Sequence, residues 1–239
     1  MMQKERITPD LVVKYIIYVN VALFVASLAL SGREIQISLN PFTAFSPSMN
    51  ALIFLGATGT IPIDHYHEWW SLISANWLHG SLVHILFNMT ALVQIAPLII
   101  HAYGISRMLA IYAIGGTLGF YLSYLAGVGV TIGASAAICA LIGAALYFGK
   151  SRGGDFGKAV YKQTTGWVVS LAVIGLLIPS INNWGHGGGV VAGIFLGWLL
   201  GYNERKQENA GHRIAAGVCI FLTLGVLTWA LVSAVYLSI

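Results

Sequence analysis

The sequence predicts an all-α polytopic membrane protein with seven helical spans, and three observations carry that prediction. Of its 239 residues, 57% are apolar and only 8% charged, whereas about a quarter of the residues in a soluble domain are charged. Seven apolar runs approach the roughly 17–25 residues a helix needs to cross the hydrocarbon core: 12–30, 81–101, 106–128, 132–149, 165–181, 186–202 and 214–238. Threading these runs back and forth puts eleven of the twelve Lys and Arg on one side and Arg33 alone on the other. That asymmetry places the N-terminus in the cytoplasm and the C-terminus outside.

Residues 1–11, with Lys4 and Arg6, form a cytoplasmic N-terminal segment. The first span resembles a signal peptide in its basic flank and in "ALS" before Gly32. It is longer than the roughly 7–15 residues of a cleaved apolar region, so it is read as a retained helix. Residues 31–78 make the only long connection, extracytoplasmic and containing Pro41, Pro47, Pro62 and "HYHEWW" at 65–70. The composition predicts short helices lying in the membrane interface, with Trp69 and Trp70 at headgroup depth. Asp64, His65 and His67 are read as a solvated cluster and not as metal ligands. Residues 12–202 make a six-helix core, 203–213 a cytoplasmic linker, and 214–239 an additional C-terminal span. Cys139 and Cys219 both fall in apolar runs, which leaves no disulfide framework and no C-x-x-C site. No metal, small-molecule cofactor or nucleic-acid partner is expected; the lipid bilayer is the solvent.

The chemistry-bearing residues gather at the outer ends of three spans. Span two begins with His79, His84 and Asn88, span four with Ser135, and span six with His186. Span four carries Gly133, Ala136, Ala140, Gly143 and Ala144. Span six carries Gly189, Gly193 and Gly197, spaced so that two transmembrane backbones can approach closely. Packing these spans together brings Ser135 towards His186, and a neutral imidazole is the side chain suited to take a serine proton near neutral pH. All eight acids lie in predicted loops or termini, and a carboxylate in the bilayer costs about 2.5–3.5 kcal/mol. The expected unit is therefore a dyad with no orienting acid. His84 and Asn88 share one helix face, one turn apart. Either alone reads as interhelical hydrogen-bonding glue, but both at the depth of a Ser/His pair read as donors to an oxyanion.

These features resemble the rhomboid family of intramembrane serine proteases. The resemblance runs from about Trp69 to Trp198 and rests on "HGSLVHILFN" at 79–88, "GASA" at 133–136 and "HGGGVVAG" at 186–193. It implies Ser135 as nucleophile and His186 as general base, with His84, Asn88 and the Ser135 amide as the oxyanion hole. His79 would be structural, and Gly133 would permit the tight approach to span four. It also implies a mobile gate involving span five, substrates that are single-span membrane proteins cut near the extracytoplasmic face, and a six-plus-one helix arrangement. A bacterial inner or plasma membrane is the expected location. Three positions depart from the family pattern: Ala136 replaces a glycine, Cys139 stands where an aromatic is common, and Ser71 follows Trp70 where an arginine is usual.

Three other readings compete. A catalytically weak or inactive relative that binds membrane helices would have no use for both Ser135 and His186. A seven-helix receptor would usually have its N-terminus outside. A transporter usually places its ionisable groups near the midplane, whereas these lie near one face.

Overall fold

The computed structural model describes residues 8–40 and 43–237; Lys4, Glu5, Arg6 and Pro41, which the sequence reading used, lie outside them. Helix α1, Pro9–Ser31, starts on a proline at its first position and ends at Gly32. Two short α-helices follow in the long connection, α2 (Met49–Phe54) and α3 (Ser71–Ser74), with 3-10 turns at Gly32–Glu34 and Ala75–Trp77 and a π-helical turn at Ile61–His65. Helix α4, Leu82–Tyr103, is capped by Ser81, whose hydroxyl accepts from the His84 N–H. Only Gly104 separates it from α5, Ile105–Leu125. Then come α6 (Ser135–Arg152), α7 (Gly154–Leu177), α8 (Asn183–Leu200) and α9 (Ala210–Leu237). The described residues contain no strand, only two isolated bridges, Gln36 with Ser46 and Thr58 with Thr131.

Among the described residues five helices are long and apolar enough to cross a membrane: α1, α4, α5, α7 and α9. The chain is an integral multi-pass membrane protein. Helices α6 and α8 have 18 residues each, about 27 Å at 1.5 Å per residue. Helix α6 runs through the centre, packed by α4, α5, α7 and α8, and nearly all its residues up to Gly149 are buried. A helix wrapped by protein needs small residues for close approach and gains nothing from a lipid-facing apolar surface, so its hydropathy is modest.

The α6–α8 contact is the most extensive in the molecule, and glycine makes it possible. A Cβ on Gly193 would lie 1.9 Å from the Ala140 carbonyl oxygen, and one on Gly189 would lie 2.3 Å from that of Ala136. Gly193→Val is therefore expected to separate the helices and to lower the melting temperature in detergent sharply; an unchanged melting temperature would refute the close approach.

Four sequence expectations are corrected. The fifth span was expected at 165–181, but α7 starts at Gly154, because Gly153 and Gly154 take positive φ (68° and 62°) and turn the chain directly out of α6. Its first turns are polar, so hydropathy missed them. Likewise α9 starts at Ala210, ahead of the expected 214, behind Asn209, whose side chain accepts from the His212 N–H at 3.1 Å. Arg107, inside the expected third span at 106–128 and counted there only as a topological charge, is a fully buried residue in the first turn of α5 with a structural role. It donates to the carbonyls of Tyr103, Gly201 and Lys206 and to the Asn203 side chain, satisfying carbonyls left open at the ends of α4 and α8 and in the segment that follows α8. Trp70 does not sit outward with Trp69: its ring lies against Gly56, while Trp69 is 49% exposed with its edge on Tyr124.

The long connection is tied to the segment that leads into α6. Thr58 and Thr131 exchange backbone hydrogen bonds of 3.0 and 2.6 Å, and the Thr60 N–H donates to the Val128 carbonyl at 2.9 Å. Ser71, standing where the family usually has an arginine, is fully buried and donates to the Thr58 hydroxyl at 2.9 Å.

Candidate active site

Ser135 is the first residue of α6, and Ala134 before it offers no capping side chain. The first backbone bond of the helix runs from the Ile138 N–H to the Ala134 carbonyl at 2.9 Å. The N–H groups of Ser135, Ala136 and Ala137 come before it and have no carbonyl within the helix. Together with the helix dipole they favour negative charge beside the serine.

The chain reaches this point through Gly133, whose φ of 125° suits only glycine. Its N–H donates to the Ala75 carbonyl at 2.9 Å. A Cβ here would lie 2.8 Å from His84 Nε2 and 3.5 Å from Ser135 Oγ, so the bare Cα leaves room for both groups to converge.

His186, in the first turn of α8, brings Nε2 to 2.8 Å from Ser135 Oγ. Its Nδ1 is buried and has no hydrogen-bond partner among the described residues. Among the described residues no carboxylate bonds to this ring. The geometry is that of a hydroxyl and an imidazole within hydrogen-bonding distance and no third member, an arrangement that allows a proton to pass between them.

His84 is held from its other side. The Gly80 N–H donates to His84 Nδ1 at 3.2 Å, so the ring proton of the neutral imidazole belongs on Nε2. That N–H faces Gly133 and the serine beyond it. Asn88, buried one turn further along α4, donates one amide hydrogen to the His84 carbonyl at 2.9 Å and keeps a second. His79 is fully buried, its ring edge-on to His84 at 5.0 Å. Burial, and then the neighbouring His84, hold it well below the ordinary imidazole range, so it stays neutral as a wedge behind the donor.

Two departures from the family pattern find local explanations. The methyl of Ala136 faces Gly119 of α5, where a Cβ would approach it to 3.2 Å; glycine on the neighbouring helix makes space for it. Cys139 is buried with its Cβ 3.0 Å from where a Gly189 Cβ would stand, filling the α6–α8 seam one turn from His186. The sequence reading missed Gly119, although Gly115 and Gly119 have the same small-residue spacing as α8. It also missed Asn182, the N-cap of α8, which an asparagine just ahead of a glycine-rich helix signals. Among the described residues, no three His, Cys, Asp or Glu side chains gather closely enough to hold a metal ion.

Fold and site define a polytopic helical membrane protein with a part-buried serine–histidine pair at the paired starts of two glycine-packed helices. The Rhomboid domain family matches residues 66–203, and the chain belongs to the rhomboid family. It is 30% identical over 194 residues to Rhomboid protease GluP of Bacillus subtilis (strain 168), covering 79% of this chain and 35% of that protein. It is 33% identical over 181 residues to RHOMBOID-like protein 5 of Arabidopsis thaliana, covering 70% and 57%. With RHOMBOID-like protein 1 of the same plant it shares 26% identity over 219 residues, covering 82% and 56%. The chain thus spans about half or less of the length of these curated relatives.

Proposed function

We propose that this protein is an intramembrane serine endopeptidase that cleaves single-span membrane proteins near the extracytoplasmic face. The 2.8 Å contact between His186 Nε2 and Ser135 Oγ carries the reading. In the reaction, His186 Nε2 takes the serine proton as Oγ attacks the scissile carbonyl carbon. The oxyanion of the tetrahedral intermediate is met by the Ser135 N–H, His84 Nε2–H and the second Asn88 amide hydrogen. The His186 imidazolium then protonates the leaving amine as the C–N bond breaks. Water, deprotonated by the same imidazole, attacks the acyl-enzyme and restores Ser135. Without an orienting acid the dyad should be slow. Cleavage of a type I membrane protein in liposomes, together with labelling of Ser135 by a fluorophosphonate, tests the reading; a purified, folded enzyme that does neither would be a helix binder or a transporter.

The same proposal includes seven crossings, with α6 and α8 added to the five apolar helices, the N-terminus cytoplasmic and the C-terminus outside. The eleven-to-one charge distribution supports it. The topology is probed at two exposed positions. Ser38→Cys is expected to react with an impermeant thiol reagent added to intact cells, and Gln207→Cys only after permeabilisation. The reverse pattern would invert the site and overturn the topology.

A further inference from the structure

Ser135 and His186 stand on separate helices 51 residues apart, and their contact demands that α6 and α8 be held in register where both begin. The glycines that pack the two helices give close approach but no side chain to fix it. One side chain spans the junction. Asn182 caps α8, its Oδ1 accepting from the Gly185 N–H at 2.9 Å, and its carbonyl accepts from the His186 N–H at 3.1 Å. Its amide nitrogen leaves the helix altogether. It donates to the Ser123 hydroxyl near the end of α5 at 2.7 Å and to the Thr131 hydroxyl at 2.9 Å.

Asn182 is four residues before His186, and Thr131 is four residues before Ser135. Thr131 is itself anchored to Thr58 by two backbone hydrogen bonds. Capping requires only the side-chain oxygen, and Ser serves about as well as Asn in that role. The two outgoing donor bonds therefore do something capping does not. Ser123 is fully buried and Thr131 nearly so, and hydrogen bonds in such surroundings are stiff and costly to leave unmade.

We propose that Asn182 is a positioning residue that sets the Ser135–His186 register, tying the start of the base helix to the segment that delivers the nucleophile. The inference rests on the reading of Ser135 and His186 as the dyad. Asn182 touches neither reacting group; it acts through the placement of His186, so its loss falls on the chemical step and spares substrate binding.

The test uses the purified full chain in liposomes. Asn182→Ser keeps the cap and deletes both outgoing bonds; Ser123→Ala with Thr131→Val deletes them from the other side. Both variants are expected to lower kcat and the rate of fluorophosphonate labelling at Ser135 by roughly 10- to 100-fold, the scale of a small misplacement of reacting groups. KM should change by less than about twofold, and the melting temperature by only a few degrees. Combining all three substitutions should cost no more than either set alone, since each removes the same interaction. Wild-type labelling and turnover in Asn182→Ser would overturn the inference, as would activity lost only in proportion to folded protein. A wild-type enzyme that fails to label at Ser135 would overturn the dyad reading and this inference with it.

Discussion

Replacing Ser135 with Ala, or His186 with Ala, is expected to lower proteolysis by roughly 10³-fold or more, because the first removes the nucleophile and the second the base that activates it. Folding should survive. Ser135→Ala deletes a single hydrogen bond, of 2.8 Å, and a typical one contributes about 0.5–1.5 kcal/mol net. His186 lies in the first turn of α8, two turns before the close contact at Gly193. Both variants should therefore melt within a few degrees of wild type, and neither should label with a fluorophosphonate. Substrate cleavage by purified Ser135→Ala at more than background would remove Ser135 as nucleophile. Retained cleavage by His186→Ala would assign the base elsewhere.

The second large effect is expected at the oxyanion donors. His84→Ala should lower kcat by a factor of about 10² or more with little change in KM, because a donor aimed at charge present only in the tetrahedral intermediate contributes nothing to the ground state. The geometry makes His84 the stronger case. Its Nδ1 is occupied by the Gly80 N–H at 3.2 Å, which commits Nε2–H towards the serine. His84→Ala should also reduce stability, since the ring packs on His79 and braces Gly80. Asn88→Ala should lower kcat by a similar factor but with a different accompaniment, because one of its hydrogens is already bonded to the His84 carbonyl at 2.9 Å. If Asn88 is interhelical glue and nothing more, its variant will melt earlier and keep normal turnover per folded molecule. Melting temperature and kcat measured on the same preparations separate the two roles, and unchanged kcat in folded Asn88→Ala would strike it from the oxyanion hole.

Much of this candidate site is legible in the sequence. Hydropathy marked the five apolar helices among the described residues, since lipid-facing surface leaves a continuous apolar trace in the chain, and the small-residue runs marked α6 and α8. Helical spacing put His84 and Asn88 on one face, and the small residues of α6 and α8 identified the pair that packs most closely. Those are local properties, decided within a few turns of one helix. The polar start of α7, the burial of Arg107 and the inward turn of Trp70 were not legible, because each depends on a partner distant in the chain: the end of α8 for Arg107, and Gly56 for Trp70. The same holds for the accommodation of Ala136 by Gly119, and for Asn182 bridging Ser123 and Thr131. By itself the sequence determined which residue types stand at the start of which helix. Only the tertiary structure decided which nitrogen of His84 carries the proton towards Ser135, and what holds His186 in register with it. Those choices are made by hydrogen bonds from the Gly80 backbone and the Asn182 amide, and they exist only once the packed helices have excluded water and left these groups no other partners.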